Sequence, residues 1–251
     1  MTKRPILALM LALLSAPQYA GAQEAVEFVT TDSVTIFAHL YSPSSGETRA
    51  TIIAFHQAGS NGPAEYGPIA TRLTGLGYRV LAPDQRSGGG RNLGGENRTV
   101  AALGREAASY CEAAPDLEAA LGYVTEAYGG AIVVWGSSYS AALTLRLAAE
   151  NRAGVVGALA FSPASGGPMV DCRGEDVSEM IKVPVLVLRP ESEMGVESVA
   201  AQAELFQSQG IEVFVARPGV HGSSMLVAER VGGDVEPTWE RVEQFLEQVT
   251  R

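Results

Sequence analysis

Basic residues and histidines are scarce in this 251-residue sequence. It contains 18 lysines and arginines against 28 aspartates and glutamates, which gives a formal net charge of −10. This charge argues against a nucleic-acid-binding or anionic-membrane surface, because both partners are themselves negatively charged. Only three histidines are present, and no group of residues has the spacing of a metal site. We therefore expect no metal, no cofactor, no nucleic-acid partner and no stable membrane anchor.

Long hydrophobic runs are also lacking, except near the N-terminus. Lys3 and Arg4 precede an apolar run at residues 6–14, which is too short to span a bilayer as a helix. The following Ala20-Gly21-Ala22 matches the cleavage signature of a secretory signal peptide. The sequence thus predicts a signal peptide at residues 1–22, cleaved after Ala22, and a single secreted or periplasmic domain at residues 23–251.

Cysteine is almost absent, since the chain contains only Cys111 and Cys172. An even number of cysteines in an exported protein favours a disulfide, because the compartment is oxidising. We predict that these two residues are bonded to each other.

Apolar runs of strand length alternate with stretches of helical periodicity, which predicts a mostly parallel sheet with helices on both faces. The strands are predicted at residues 25–31, 34–41, 51–55, 78–84, 131–135, 155–161, 183–188 and 211–216. The first two are expected to form a hairpin. Residues 91–114 are polar and irregular, and the excursion at residues 165–182 is too short for a helical cap domain.

One predicted strand, residues 131–135, runs into Gly136-Ser137-Ser138-Tyr139-Ser140 and then into a predicted helix. This pattern is close to the G-x-S-x-G nucleophile elbow, in the strand-turn-helix context that the motif requires. Ser140 replaces the last glycine, where the close backbone packing needs a small side chain. The elbow predicts that the Ser138 hydroxyl stands at a helix N-terminus, whose free N–H groups favour a developing oxyanion.

A serine nucleophile needs a base within hydrogen-bond reach and a carboxylate that orients the base. In elbows of this type the acid and then the histidine follow the nucleophile along the chain. His221 is the only histidine after Ser138, and it lies in a loop just after the last predicted strand. The acid is expected in the loop after residues 183–188, where Glu193 is favoured and Glu191 is the alternative.

These motifs, together with the stretches at residues 56–60 (His-Gln-Ala-Gly-Ser) and 84–88 (Asp-Gln-Arg-Ser-Gly), resemble those of the α/β-hydrolase superfamily. Within it, the chain is similar to the dienelactone-hydrolase-like and small serine-esterase groups over nearly all of residues 23–251. The resemblance implies an α/β-hydrolase fold with a central sheet of about eight strands and no large cap domain.

The resemblance also implies roles for individual residues. Ser138 attacks a carbonyl carbon, His221 takes its proton, and Glu193 holds the imidazole. The oxyanion hole is implied to use the backbone N–H groups of Tyr139 and of Ala58, or otherwise of Gln57, which stands where the family usually has glycine. Three further residues are implied to brace loops: His56, Asp84 and Arg86.

The sequence therefore predicts an exported serine hydrolase that cleaves a small-molecule carboxylic ester, thioester or lactone through an acyl-enzyme. Two alternatives stay open at this point. One is a non-catalytic binding protein of the same fold, and the other is an acyl-peptide hydrolase.

Overall fold

An eight-stranded sheet forms the centre of the computed structural model, which describes residues 22–44, 46–104 and 106–251. The strands are β1 (Ala22–Val29), β2 (Thr35–Ser42), β3 (Thr51–Phe55), β4 (Arg79–Pro83), β5 (Ile132–Ser137), β6 (Val155–Phe161), β7 (Val185–Pro190) and β8 (Glu212–Ala216). Their order in the sheet is β1-β2-β4-β3-β5-β6-β7-β8. β2 pairs antiparallel with β1 and β4, whereas every other pair is parallel. The predicted sheet and its N-terminal hairpin are confirmed.

Helices pack on both faces of this sheet. They are α1 (Gly62–Gly75), α2 (Arg98–Leu103), α3 (Ala114–Ala127), α4 (Tyr139–Ala149), α5 (Glu197–Ser208), α6 (Ala228–Val231) and α7 (Glu236–Val249). One apolar layer contains Leu117 of α3 and Leu143 of α4, and the other contains Ile69 of α1 and Phe245 of α7. The fully buried strands β3 and β5 supply side chains to both layers, which explains their uninterrupted apolar sequences.

The segment at residues 91–114 is more ordered than its sequence predicts, because it contains the short helix α2. Asn97 caps this helix by accepting the Val100 N–H at 2.8 Å. Only Thr99 of the six helical residues is buried. A helix with one buried residue has no apolar periodicity, so the pattern that identifies helices in sequence is missing here.

The predicted disulfide between Cys111 and Cys172 is confirmed, with 5.6 Å between the two Cα atoms. Cys111 lies just before α3, and Cys172 lies in the segment between β6 and β7. That segment contains two short 3-10 helices, Gly167–Met169 and Glu175–Met180. The bridge therefore joins the entry to α3 to the segment between β6 and β7.

The predicted signal peptide lies outside the described residues except for Ala22, where β1 begins. In the part of the chain that the structure does describe, no helix has both the length and the apolar character needed to cross a membrane.

The parallel strands determine where the loops of interest meet. β3, β5, β7 and β8 run in the same direction, so the segments that follow them leave the same edge of the sheet. Those segments contain the predicted oxyanion loop, the elbow, the predicted acid and His221, in that order along the chain.

Candidate active site

Ser138 occupies the sharp turn between β5 and α4, as the elbow motif predicts. Its backbone has φ 62° and ψ −121°, a conformation that is unfavourable for a residue with a side chain. The turn also depends on Gly136, where an added β-carbon would lie 2.4 Å from the Ser140 carbonyl oxygen. Ser138 is half-buried, and its hydroxyl makes no hydrogen bond with the residues that the structure describes. The hydroxyl is thus available at the helix N-terminus.

The serine in place of the last motif glycine is a structural part of the elbow. Ser140 is fully buried, and its hydroxyl accepts the Ser137 N–H at 2.9 Å. The same hydroxyl lies 2.7 Å from the Phe55 carbonyl oxygen, to which it donates. Ser140 therefore joins the elbow to the end of β3. Its hydroxyl group, which a glycine at this position would lack, is used both as acceptor and as donor of hydrogen bonds.

His221 and Glu193 meet at the edge of the sheet, although 28 residues separate them in the sequence. His221 Nδ1 lies 2.5 Å from Glu193 Oε1. The His221 side chain is 50% exposed, so the imidazole is open to solvent and to a ligand. Glu191, the alternative acid, instead forms an exposed ion pair with Arg217 at 2.7 Å. The contact with Glu193 occupies Nδ1 of His221, and Nε2 has no hydrogen-bond partner in the part of the chain that the structure describes.

Glu193 is held as an anion by three donors. Besides His221, Arg189 donates to Oε2 at 2.8 Å and the Ser162 hydroxyl donates to Oε1 at 3.0 Å. Burial opposes ionisation of this carboxyl group, but the bonds from His221 and Arg189 outweigh it and hold the pKa of Glu193 below its ordinary value. The acid beside the imidazole is therefore charged at neutral pH.

Arg189 holds the candidate acid and was not predicted from the sequence. Its guanidinium is almost fully buried and also bonds to the Pro163 carbonyl oxygen, at 2.5 Å, and to Gln202. A charged residue at the end of an apolar strand was the available signal, because such a residue is rarely buried without an ionic partner.

The loop that carries His221 packs directly against the elbow. Ser223 donates its N–H to the Ser137 hydroxyl at 3.0 Å, and Gly222 donates its N–H to Ser162 at 3.1 Å. Gly222 has φ 68°, and an added β-carbon would lie 2.3 Å from Ser137 Oγ. Only glycine allows this approach, which brings the residue that follows His221 against the residue that precedes Ser138. The structure shows no hydrogen bond between the Ser138 hydroxyl and the imidazole, and such bonds often tighten only when substrate is bound.

The two candidate N–H groups of the oxyanion loop differ in availability. The Gln57 N–H donates to Glu65 Oε2 at 2.7 Å and is therefore engaged. The Ala58 N–H, like that of Tyr139, has no partner among the hydrogen bonds of the described residues. The Gln57 side chain lies along the His221 loop, since its Oε1 is 3.5 Å from where a β-carbon on Gly222 would be. Glu65 is a second residue that sequence reasoning missed.

The loop-bracing residues make the contacts expected of them. Buried His56 accepts the Gln85 N–H at Nε2, 2.9 Å away, and its Nδ1 lies 2.8 Å from the Gln57 carbonyl oxygen. Burial lowers the pKa of His56, so the ring is neutral and Nδ1 donates.

Asp84 and Arg86 fix the stretch at residues 84–88, which follows β4. Asp84 accepts the N–H groups of Gly62 and Arg98, each at 2.8 Å. Arg86 pairs with Asp116 at 2.7 Å and with Asp32 at 2.5 Å. Among the described residues, no group of three or more histidines, cysteines or carboxylates could hold a metal ion.

Comparison with known proteins agrees with this architecture. A model of the dienelactone hydrolase family matches residues 36–213. An esterase of Pyrococcus furiosus is similar in structure, with a TM-score of 0.70, 19% identity and 92% of both chains covered. The α/β hydrolase GrgF of a Penicillium species is similar with a TM-score of 0.70 and 18% identity, over 91% of this chain and 99% of that one.

An acylaminoacyl peptidase of Pyrococcus horikoshii has a TM-score of 0.66 and 13% identity, and the match covers 92% of this chain but 42% of the peptidase. At these identities the likeness demonstrates a common α/β-hydrolase fold. No sequence among curated proteins matches the chain.

Proposed function

Because this chain belongs to the dienelactone hydrolase family, we propose that it is an exported serine hydrolase that cleaves a carboxylic ester, thioester or lactone through an acyl-enzyme. Family membership supports a hydrolase of ester-type bonds. The observation that carries the serine mechanism is the 2.5 Å contact between His221 and Glu193, together with the strained turn at Ser138.

In the proposed reaction, the Ser138 hydroxyl attacks the carbonyl carbon while His221 Nε2 takes its proton. Glu193 bonds to Nδ1, keeps the imidazole in the tautomer that has a free Nε2, and stabilises the imidazolium that forms. His221 then returns the proton to the leaving group. In the second half of the reaction it activates the water that cleaves the acyl-enzyme.

The developing oxyanion is proposed to bind the N–H groups of Tyr139 and Ala58. Both lack partners among the described residues, and Tyr139 is the first residue of α4, where the helix dipole favours negative charge. Removal of one such donor typically costs about 3–4 kcal/mol of transition-state stabilisation. The Gln57 N–H is not proposed as a donor, because Glu65 already accepts it.

Export is proposed from two features. The N-terminal sequence has the order of a secretory signal, and the Cys111–Cys172 disulfide suits an oxidising compartment. Mass spectrometry of the protein purified after expression with its full N-terminus tests this. A mature chain that begins at Gln23 supports export, and an intact chain that begins at Met1 contradicts it.

A fluorophosphonate probe, which reacts with activated serines, tests the nucleophile. We expect the wild type to be labelled and Ser138→Ala to be unlabelled. Ser208→Ala changes an exposed serine at the end of α5 and serves as the control that keeps its label. A folded wild type that is not labelled would contradict the proposal and would favour a non-catalytic binding protein.

A further inference from the structure

A buried carboxylate lies behind the oxyanion loop and has no part in the mechanism above. Glu65, in the first turn of α1, is fully buried. Its Oε2 accepts the Gln57 N–H, whereas Oε1 has no hydrogen-bond partner among the described residues. Burial of a carboxylate oxygen without a partner is unfavourable for stability. Stability therefore does not explain why a glutamate stands at position 65, whereas a role in the site would.

Groups from several elements face this carboxylate, but none is a cation bonded to it. The Ser137 hydroxyl of β5 lies close enough to lower its pKa, although the geometry of a hydrogen bond to Oε1 is not reached. Arg230 of α6 donates to the backbone oxygens of Ala64 and Glu65, at 2.6 and 3.1 Å, rather than to the carboxylate. The remaining neighbours with an electrostatic influence are His221, Tyr66 and Tyr139. Burial outweighs these groups and raises the pKa of Glu65 to about 7.

The contact with Gln57 has a geometric consequence. A peptide unit is planar, so the Gln57 N–H fixes the plane between His56 and Gln57 once it is bonded to Glu65. The next plane contains the Gln57 carbonyl oxygen and the Ala58 N–H. His56 Nδ1 fixes that plane through its 2.8 Å bond to the carbonyl oxygen. Together, Glu65 and His56 hold both planes on either side of Gln57.

We propose that Glu65 is a positioning residue: by accepting the Gln57 N–H it fixes the peptide plane before Gln57 and so, together with His56 on the next plane, aims the Ala58 N–H at the substrate oxygen. The inference depends on the proposed serine-hydrolase function, in which that N–H is an oxyanion donor. The role requires an acceptor at the position of Oε2 and does not require a negative charge. Glutamine therefore performs it, because the side-chain carbonyl oxygen accepts the same N–H.

Two variants of similar side-chain length test the proposal, Glu65→Gln and Glu65→Met. The readouts are kcat and KM for p-nitrophenyl acetate, and the hydrogen-exchange rate of the Gln57 amide measured by NMR. In Glu65→Met we expect kcat to fall by about 10- to 100-fold with little change in KM, because the Ala58 N–H is misdirected rather than removed; deletion of an oxyanion donor costs roughly 100- to 1,000-fold. The Gln57 amide should also exchange faster. In Glu65→Gln we expect both readouts to stay within about threefold of the wild type.

Three results would overturn the proposal. These are a wild-type kcat in Glu65→Met, a Gln57 amide as protected in Glu65→Met as in the wild type, or a kcat in folded Glu65→Gln as low as in Glu65→Met. If Glu65→Met does not fold, Glu65→Gln decides alone: a kcat more than tenfold below the wild type contradicts an acceptor role, and near-wild-type values support it. The exchange measurement needs no substrate. A wild type that is inactive and unlabelled by fluorophosphonate thus rejects the proposed function, while unchanged exchange in Glu65→Met rejects the placement of Glu65.

Discussion

The acid loop (residues 189–193) and the oxyanion loop (residues 56–62) each involve a glutamate near His221, and the pKa values of the two glutamates are shifted in opposite directions. Glu193 bonds to a guanidinium and an imidazole, and its pKa lies below the ordinary value. Glu65, which contacts the oxyanion loop, bonds to a neutral backbone N–H, and its pKa is raised to about 7. Glu65 is more deeply buried than Glu193 and bonds to no cation among the described residues, whereas Glu193 bonds to Arg189 and His221. Burial and the bonding partner thus act together to decide whether a glutamate at this edge of the sheet is charged.

The difference separates two tasks. The acid loop supplies a fixed negative charge, which the imidazole needs while it carries a proton. The oxyanion loop needs N–H groups with fixed directions, and an acceptor without a full charge is enough to hold them. Substitutions in each loop should therefore change different measured quantities.

The largest effect is expected from Glu193→Gln, which removes the charge of the acid loop. Glutamine can present an N–H to His221, which favours the wrong tautomer, so we expect kcat to fall by roughly 10³- to 10⁴-fold. Steady-state hydrolysis of p-nitrophenyl acetate measures this. Glu191→Gln is the matched control, because Glu191 forms an exposed ion pair with Arg217 and does not contact His221 among the described residues. This variant should keep kcat within twofold of the wild type. Equal losses in the two variants would show that Glu193 is not the acid.

Next in size is the effect of Arg189→Met on stability. The substitution leaves the Pro163 carbonyl oxygen and Gln202 without their donor and leaves Glu193 with one cationic partner fewer. Breaking such a buried network should lower the free energy of unfolding by about 3 kcal/mol. Urea denaturation measures it, and a variant as stable as the wild type would contradict the role assigned to Arg189.

The strands and two of the candidate site residues could be predicted from the sequence, but the contrast between the two loops could not. The buried parallel strands appear as apolar runs, so all eight strands and the hairpin could be predicted. His221 and Ser138 could be predicted as candidates, because few histidines exist and the elbow has a local motif. Arg189 and Glu65 were missed because neither lies in a motif. The signal for Arg189 was a charged residue at the end of an apolar strand, whereas nothing in the sequence indicates that Glu65 accepts the Gln57 N–H. α2 was missed because a single buried residue gives no periodicity.

A third prediction compares the pH dependence of stability at the two carboxylates. The pKa of Glu65 in the folded state, about 7, exceeds the ordinary 4.5, so the protonated form favours folding and this contribution is lost as the pH rises from about 4.5 through 7. The difference corresponds to about 3 kcal/mol. As the pH rises from 5 to 8, the free energy of unfolding of Glu65→Gln should therefore increase relative to that of the wild type. Urea denaturation at both pH values measures this difference.

Glu193 should show the opposite sign. Its folded-state pKa is lowered, so its ionised form contributes stability above the unfolded pKa, and that contribution is lost as the pH falls through the folded pKa. Relative to the wild type, Glu193→Gln should lose stability at neutral pH and regain it in acid. The same sign of pH dependence in both variants would refute the contrast between the two loops.

The smallest effect is expected at the elbow, which lies between the two loops. Ser140→Ala removes the acceptor of the buried Ser137 N–H, while the Phe55 carbonyl oxygen keeps its bond from Tyr66 at 2.6 Å. We expect the free energy of unfolding to fall by about 1 kcal/mol. Thermal unfolding checks this, and an unchanged midpoint would show that the hydroxyl at this position is dispensable.

Trapping the covalent intermediate tests most directly whether Ser138 is the nucleophile of an acyl-enzyme mechanism. Acid quenching during turnover of p-nitrophenyl acetate, followed by proteolysis and mass spectrometry, locates any acetyl group on the chain. We expect one acetyl group on the peptide that contains Ser138, with its loss in Ser138→Ala and slower formation in Glu193→Gln. Hydrolysis that persists in Ser138→Ala, or an acetyl group that forms only on another residue during turnover, would contradict it.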